Sequence, residues 1–328
     1  MPVIEELLEN LFRIEIPLPE SPLRSLNSYV IKASDRNLII DTGFNRKECL
    51  DAMESGLKEL EIDLERTDFY ITHLHADHFG LISELITQTS QVYSNGPDTE
   101  FIQSPGRWDS MLEYARMNGF PEDGIQALSQ EHPGRKLRIE WIPNINVLKN
   151  DDSLPIGDYL FKCIETPGHS RGHTCLYEPR RRILVSGDHI LNDITPNIQC
   201  WSDQGNPLET YLASLDKIYQ LEVDLVLPGH RRLFKSYRER IEELKCHHQK
   251  RNDEILFILS GGPKSVIQIA SEMTWDINCE SWEEFPVLQK WFSTGEAIAH
   301  LRYLEEKGMV IRKTGVERHF FSLTHLSS

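Results

Sequence analysis

Long apolar runs are missing from this 328-residue chain, and no stretch approaches the ~18–20 consecutive apolar residues that a membrane-crossing helix requires, so no membrane partner is expected. Cys-x-x-Cys pairs are missing too. The cysteines, at positions 49, 163, 175, 200, 246 and 279, are scattered, which argues against a zinc ribbon or a disulfide framework and fits reduced thiols. The opening Met1-Pro-Val-Ile-Glu-Glu has no basic region leading into an apolar core, so no secretory leader is expected, and the expected location is cytoplasmic. Basic residues are scarce, 35 Lys and Arg against 51 Asp and Glu. The shortfall lies in residues 1–230, with 20 basic and 37 acidic side chains, whereas residues 231–328 carry 15 and 14. An acidic body repels a phosphate backbone, which disfavours nucleic acid as a partner and favours a small-molecule substrate.

What is present is concentrated between Thr72 and Gly80, where Thr-His-Leu-His-Ala-Asp-His-Phe-Gly supplies four potential metal ligands: His73, His75, Asp77 and His78. Phe69-Tyr70-Ile71-Thr72 before it is β-branched and aromatic and reads as a strand that hands its side chains to a loop. On extended backbone His73 and His75 face the same way and suit one ion. Asp77 and His78 fall where the loop turns into a helix predicted from Gly80, and so point elsewhere. Two neighbouring ions are implied.

Four ligands do not fill two shells, and the chain repeats one pattern: an apolar run, a small residue, then Asp or His. It occurs at Leu38-Ile-Ile-Asp41-Thr-Gly, before Thr166-Pro-Gly-His169, at Ile183-Leu-Val-Ser-Gly-Asp188 and at Leu225-Val-Leu-Pro-Gly-His230. Singly, a loop histidine is ordinarily a surface residue and a Pro-Gly-His tripeptide a turn. Their recurrence after apolar runs suggests strand ends converging on one rim. His173 and His189 lie beside these motifs and suit either structural or substrate-facing roles. His132, His247, His248, His300, His319 and His325 carry no spacing signal.

With Asp41-Thr-Gly, the His73 to His78 run, Thr166-Pro-Gly-His169, Gly187-Asp188 and Pro228-Gly-His230 in that order, the chain resembles the metallo-β-lactamase superfamily over roughly its first three quarters. The resemblance implies an αββα sandwich, two mixed sheets face to face with helices outside and metals at one edge. It implies one metal held by His73, His75 and His169, a second by Asp77, His78 and His230, Asp188 bridging them, and Asp41 orienting a ligand histidine. Members that use a cysteine ligand to hydrolyse β-lactams place that thiol where Asp188 stands, which argues against β-lactam hydrolysis. The diiron flavoprotein branch has Glu at the position of His75, which argues against oxygen chemistry. The donor set is similar to that of hydroxyacylglutathione hydrolases, lactonases and the nuclease branch.

Imidazole and carboxylate suit zinc, iron or manganese; two zinc ions are the first expectation. Two such cations a few ångströms apart lower the pKa of a shared water from about 16 towards 7, giving a bridging hydroxide as nucleophile. Asp77 and Asp188 are the expected catalytic carboxylates, holding or relaying its proton. Arg231-Arg232 after His230 is either a surface ion pair or an anchor for a substrate anion, and Arg180-Arg181-Arg182 reads as a solvated turn.

Two domains are expected: a catalytic domain over 1–258, with a helical insertion at about 98–146, and a tail over 259–328. Asp98 to Asn118 reads as one helix with a short second helix after Pro121, either packed on the core or lining the substrate pocket. In the tail, helices at 264–274 and 295–307 precede a hairpin at 309–323, a pattern that resembles a winged-helix domain, as in a subgroup of the family. Residues 264–328 hold seven Lys and Arg against nine Asp and Glu, a poor phosphate-binding face, so packing on the body, closing over the active site or forming a homodimer surface is the favoured role. The function expected is hydrolysis of a small ester, thioester or lactone through two metals. A phosphodiesterase acting on RNA and a non-catalytic metal-bound regulator are the alternatives.

Overall fold

The computed structural model describes residues 2–104, 106–136, 143–315 and 318–324, so His325, the middle of the tail hairpin turn and part of the return from the insertion lie outside the described residues. Strands β1 (Ile4–Leu8), β2 (Leu11–Pro17), β3 (Ser25–Ile31), β4 (Asn37–Ile40), β5 (Thr67–Tyr70), β6 (Val92–Ser94) and β7 (Ile145–Val147) form one sheet in that order. Its first four strands are antiparallel neighbours and the rest run parallel. Strands β8 (Ser153–Ile156), β9 (Tyr159–Glu165), β10 (Thr174–Glu178), β11 (Ile183–Gly187) and β12 (Leu225–Pro228) form a second, antiparallel except at β11–β12. A third pairs β13 (Val310–Thr314) with β14 (His319–Leu323). The helices are α1 (Lys47–Glu59), α2 (Ala76–Phe79), α3 (Ile82–Leu85), α4 (Gly96–Gln103), α5 (Arg107–Met117), α6 (Glu122–Glu131), α7 (Pro133–Lys136), α8 (Pro207–Tyr219), α9 (Tyr237–Leu259), α10 (Val266–Glu272) and α11 (Val287–Glu306). Among the described residues no helix is long and apolar enough to cross a membrane.

The chain divides into two compact units, one of Met1–Gln103, Pro133–Pro196 and Ser214–Arg240, the other of Ser104–His132, Asn197–Ala213 and Ile241–Ser328. The expected boundary after 258 lies inside the second unit, which also takes in part of the insertion.

In the first unit, side-chain alternation makes a sandwich. Tyr29, Ile31, Leu38 and Ile40 of the first sheet meet Phe161, Leu176, Val185 and Leu227 of the second in one buried core. Their neighbours Val30 and Ile39 face the other way, onto Cys49, Met53 and Leu57 of α1. Burying Met53 and Leu57 stabilises by roughly 1.5–3 kcal/mol each. This is the mixed α/β metallo-β-lactamase architecture that the motifs imply. Because β4, β5, β9, β11 and β12 are each followed by a motif loop, their ends deliver Asp41, His73, His169, Asp188 and His230.

The second unit is built on α5, α6 and α11, whose Leu112, Ala115, Ile125, Leu128 and Trp291 share a core with Phe120. Trp201 stacks on Trp291 with ring centroids 3.6 Å apart. The single helix expected over 98–118 is instead α4 and α5, with Gly106 at φ +70° just ahead of α5. α11 begins eight residues before the expected start at Gly295. A Cβ on that glycine would lie 2.8 Å from Nε1 of the Trp201 indole, so its place inside the helix reflects packing and not a helix end. Lys264 and Phe321 exchange backbone hydrogen bonds, joining the segment before α10 to β14.

Candidate metal centre

Asp41 leaves β4 in a left-handed backbone conformation, φ +59°, that turns its carboxylate back toward the end of β5. There it accepts hydrogen bonds from Thr72 N–H at 2.9 Å, Thr72 Oγ1 at 2.8 Å and His78 Nδ1 at 2.7 Å. A proton on Nδ1 leaves the Nε2 lone pair of His78 facing the cluster. Asp77 and His78 lie within α2 and not ahead of a helix from Gly80, so one helical turn aims both. His230 is fixed the same way: its Nδ1 donates to the carbonyl of Ser25, the first residue of β3, at 2.8 Å.

Three imidazole nitrogens converge beside this pair. His73 Nε2 and His75 Nδ1 are 2.9 Å apart, and His75 Nδ1 and His169 Nε2 are 3.1 Å apart. A tetrahedral zinc with nitrogens at its usual distance separates them by about 3.3 Å, so a small outward shift makes room for an ion. Asp188 lies between the two groups. Its Oδ1 is 3.5 Å from His78 Nε2, and its Oδ2 is 3.4 Å from His230 Nε2 and 3.6 Å from His169 Nε2. Asp77 Oδ2 is 3.4 Å from His230 Nε2. The seven side chains nominated from sequence are therefore gathered at one place, as His73/His75/His169, Asp77/His78/His230 and His73/His78/Asp188, each set with its donor atoms within 4.8 Å of one another.

The donors fit divalent cations on two counts. Among the described residues His78 Nε2, His230 Nε2 and Asp188 Oδ1 are buried with no hydrogen-bond partner, an arrangement that costs stability unless something else satisfies them. A Cβ on Gly229 would lie 2.6 Å from Asp188 Oδ1 and 2.8 Å from the His78 ring, so the glycine of the Pro-Gly-His motif keeps this space open.

The electrostatics agree. Burial raises both carboxylates, but the imidazoles outweigh it: His78 and His230 bring Asp77 down to about 2, and His230 and His78 hold Asp188 well below the usual carboxylate range. Burial would lower His78 and His230, yet Asp188 and the other carboxylates push His78 well up and His230 to about 10. His73 is held well below its ordinary value by burial and by the neighbouring imidazoles, and burial lowers His75. Ionised acids thus draw positive charge to one half of the cluster while the other half stays a set of neutral nitrogen donors.

Two residues outside the nominated set shape the centre. His173, fully buried, accepts the Asp188 N–H on Nε2 at 3.1 Å and pairs through Nδ1 with Thr166 Oγ1 at 2.8 Å, so it holds the backbone of Asp188. Asp98, read from sequence only as the start of a helix, is buried against the loops carrying His73, His75 and His169. Arg232 forms an ion pair with Asp193 at 2.9 Å, and Arg231 donates to the Pro22 carbonyl at 2.8 Å.

Comparison with known proteins agrees with this geometry. The sequence model of the metallo-beta-lactamase superfamily matches residues 22–230. The chain belongs to that superfamily. It is similar to the human acyl-coenzyme A thioesterase MBLAC2, 26% identical over 249 residues that cover 71% of this chain and 82% of the human one. It is also similar to the atrochrysone carboxyl ACP thioesterase of Emericella nidulans, 21% identical over 256 residues, 78% of this chain and 66% of that protein. Among solved structures, the metallo-beta-lactamase family protein TTHA1429 from Thermus thermophilus superposes with a TM-score of 0.82 at 26% identity, covering 97% of this chain and 100% of that one. With its family and its donor set intact, the protein is a metal-dependent hydrolase.

Proposed function

We propose that the protein hydrolyses acyl thioesters of a small-molecule carrier, using two divalent cations. The observation that carries the reading is the position of Asp188, whose carboxylate oxygens reach His78 and His230 on one side and His169 on the other. In this reading His73, His75 and His169 hold one cation, Asp77, His78 and His230 the second, and Asp188 both; zinc is the first choice, with iron and manganese suited to the same donors. Bound there, the pair supplies Lewis acidity and an activated water. Asp41 fixes the His78 tautomer, the Ser25 carbonyl fixes that of His230, and the Asp77 oxygen not turned toward His230, Oδ1, would take the proton released as water attacks the acyl carbon. The carbon–sulfur bond then breaks and the sulfur leaves as a thiolate, which needs no protonation by the protein because a thiol ionises near pH 8.5. An ester or lactone must expel a far more basic alkoxide. The human relative, named an acyl-coenzyme A thioesterase, supports this substrate class, and the Emericella nidulans relative, named an ACP thioesterase, supports thioesters in general.

We read α10, α11 and the β13–β14 hairpin as a winged-helix-like unit, the feature behind the RNA alternative. Arg312 of that hairpin pairs with Asp203 and lies 3.4 Å from Glu305, so its charge is compensated within the protein, and this favours the thioester. The six unbridged cysteines fit a reducing, cytoplasmic setting.

The test is metal analysis of the purified protein followed by a panel of acyl-coenzyme A thioesters, lactones, bis-aryl phosphodiesters and RNA. Thioester hydrolysis is expected, lost in His75→Ala and Asp77→Ala with circular dichroism unchanged. RNA cleavage without thioesterase activity, or full turnover in either variant, overturns the reading.

A further inference from the structure

We propose that Asp98 is a positioning residue that sets the spacing of His73, His75 and His169, an inference that rests on the two-cation reading above. Asp98 is the third residue of α4, and its side chain turns away from solvent into the rim, only 5% exposed. Its Oδ2 accepts the N–H of Leu74, the residue between His73 and His75, at 3.3 Å, and the hydroxyl of Ser170, next to His169, at 2.7 Å. Its Oδ1 accepts the N–H of Gly172 at 2.8 Å. One carboxylate therefore grips the β5 loop and the β9 loop at once, and those loops carry the three histidines of one cation site.

The clamp is itself braced. Asn95 Oδ1 accepts the Asp98 N–H at 2.8 Å and caps α4, while Ser94 Oγ donates to the Ile71 carbonyl at 3.0 Å, tying the end of β6 to that of β5. The β9 loop lies so close that a Cβ on Gly172 would sit 1.6 Å from Asn95 Oδ1 and 2.8 Å from Asp98 N. Phe101, one helical turn after Asp98, has the Arg171 guanidinium 5.3 Å from its ring centroid. Groups that touch ligands or their loops tune metal affinity because imidazoles must meet an ion within a few tenths of an ångström. Asp98 does this through backbone N–H groups and a serine.

The experiment titrates chelator-stripped full-length protein with Zn(II) against a chromophoric chelator and, separately, records Co(II) spectra, for the wild type and for Asp98→Ala, Asp98→Asn, Ser170→Ala, His169→Ala and His230→Ala. Asp98→Ala is expected to weaken one of two Zn(II) sites by about 10- to 100-fold and to leave the other nearly unchanged. Its Co(II) spectrum should match that of His169→Ala. Asp98→Asn, which keeps one acceptor oxygen, should fall between it and the wild type. Should Asp98→Ala not fold, Ser170→Ala carries the test, with the same site weakened about fivefold for one lost hydrogen bond. Unchanged affinity at both sites, or a spectrum that matches His230→Ala, overturns the role of Asp98 while the two-cation reading stands. A wild type that binds fewer than two ions overturns that reading, and this inference with it, before any variant is compared.

Discussion

Asp41 and His78 are joined by a 2.7 Å contact between carboxylate Oδ2 and imidazole Nδ1, both groups almost wholly buried. The same carboxylate receives two hydrogen bonds from Thr72, so it cannot swing away from the ring. Asp41→Asn places an amide where Nδ1 needs an acceptor and removes the negative charge behind the ring. The expected outcome is a loss of about 10- to 100-fold in affinity for the ion held by Asp77, His78 and His230, with the other ion retained, read by competitive Zn(II) titration.

Asp188 makes a different prediction because its oxygens face donors of both groups, 3.5 Å from His78 and 3.6 Å from His169. Asp188→Ala should lower occupancy of both ions together. Elemental analysis of protein purified and dialysed in parallel with the wild type checks this, and loss of one ion alone contradicts a bridging role.

Gly229 supplies a steric test. Its added methyl in Gly229→Ala would press on Asp188 Oδ1 from 2.6 Å and on the His78 ring from 2.8 Å. Occupancy should fall at least tenfold at limiting Zn(II), while thermal unfolding of the metal-free proteins differs by no more than about 1–3 kcal/mol. A fully loaded Gly229→Ala would mean that the space is not where an ion sits.

These relationships were legible from sequence to different depths. The His73 to His78 ligands are consecutive in the chain, so the motif displays them whole. Asp188 and His230 follow apolar runs and a small residue, so strand and ligand read as one unit. Strand β6, Val92-Tyr-Ser, followed by Asn-Gly-Pro-Asp98, has nearly the same form, yet the acid stands where helix starts commonly carry one, and its partners are two backbone N–H groups and a distant serine that no sequence pattern displays. β1 is illegible for another reason: Ile4-Glu-Glu-Leu-Leu is a half-exposed edge strand without the alternation of a buried one. His248 and His300 carried no spacing signal because their partner residues lie on separate helices, 52 positions apart.

That buried pair contributes to the acid response of the protein. His300 Nδ1 donates to Asn252 Oδ1 at 2.7 Å, which leaves its Nε2 to accept from His248 Nδ1 at 3.3 Å. A proton on His300 Nε2 would face the N–H of His248. Burial, then His247 and Arg251, brings His248 down to about 3, and burial with His248 and Arg251 holds His300 well below its ordinary value. Both are neutral when folded, whereas in the unfolded chain they take up protons below about pH 6.5. The unfolded state then binds more protons, so stability is full above that pH and falls as acid is added, by up to about 1.4 kcal/mol per pH unit for each ring, until the folded values are reached. Urea unfolding of metal-free protein from pH 7.5 to 5.0 should show this decline. His248→Phe, which fills the same space without titrating, should make the slope shallower by about one proton; an unchanged slope would show that His248 is already protonated in the fold.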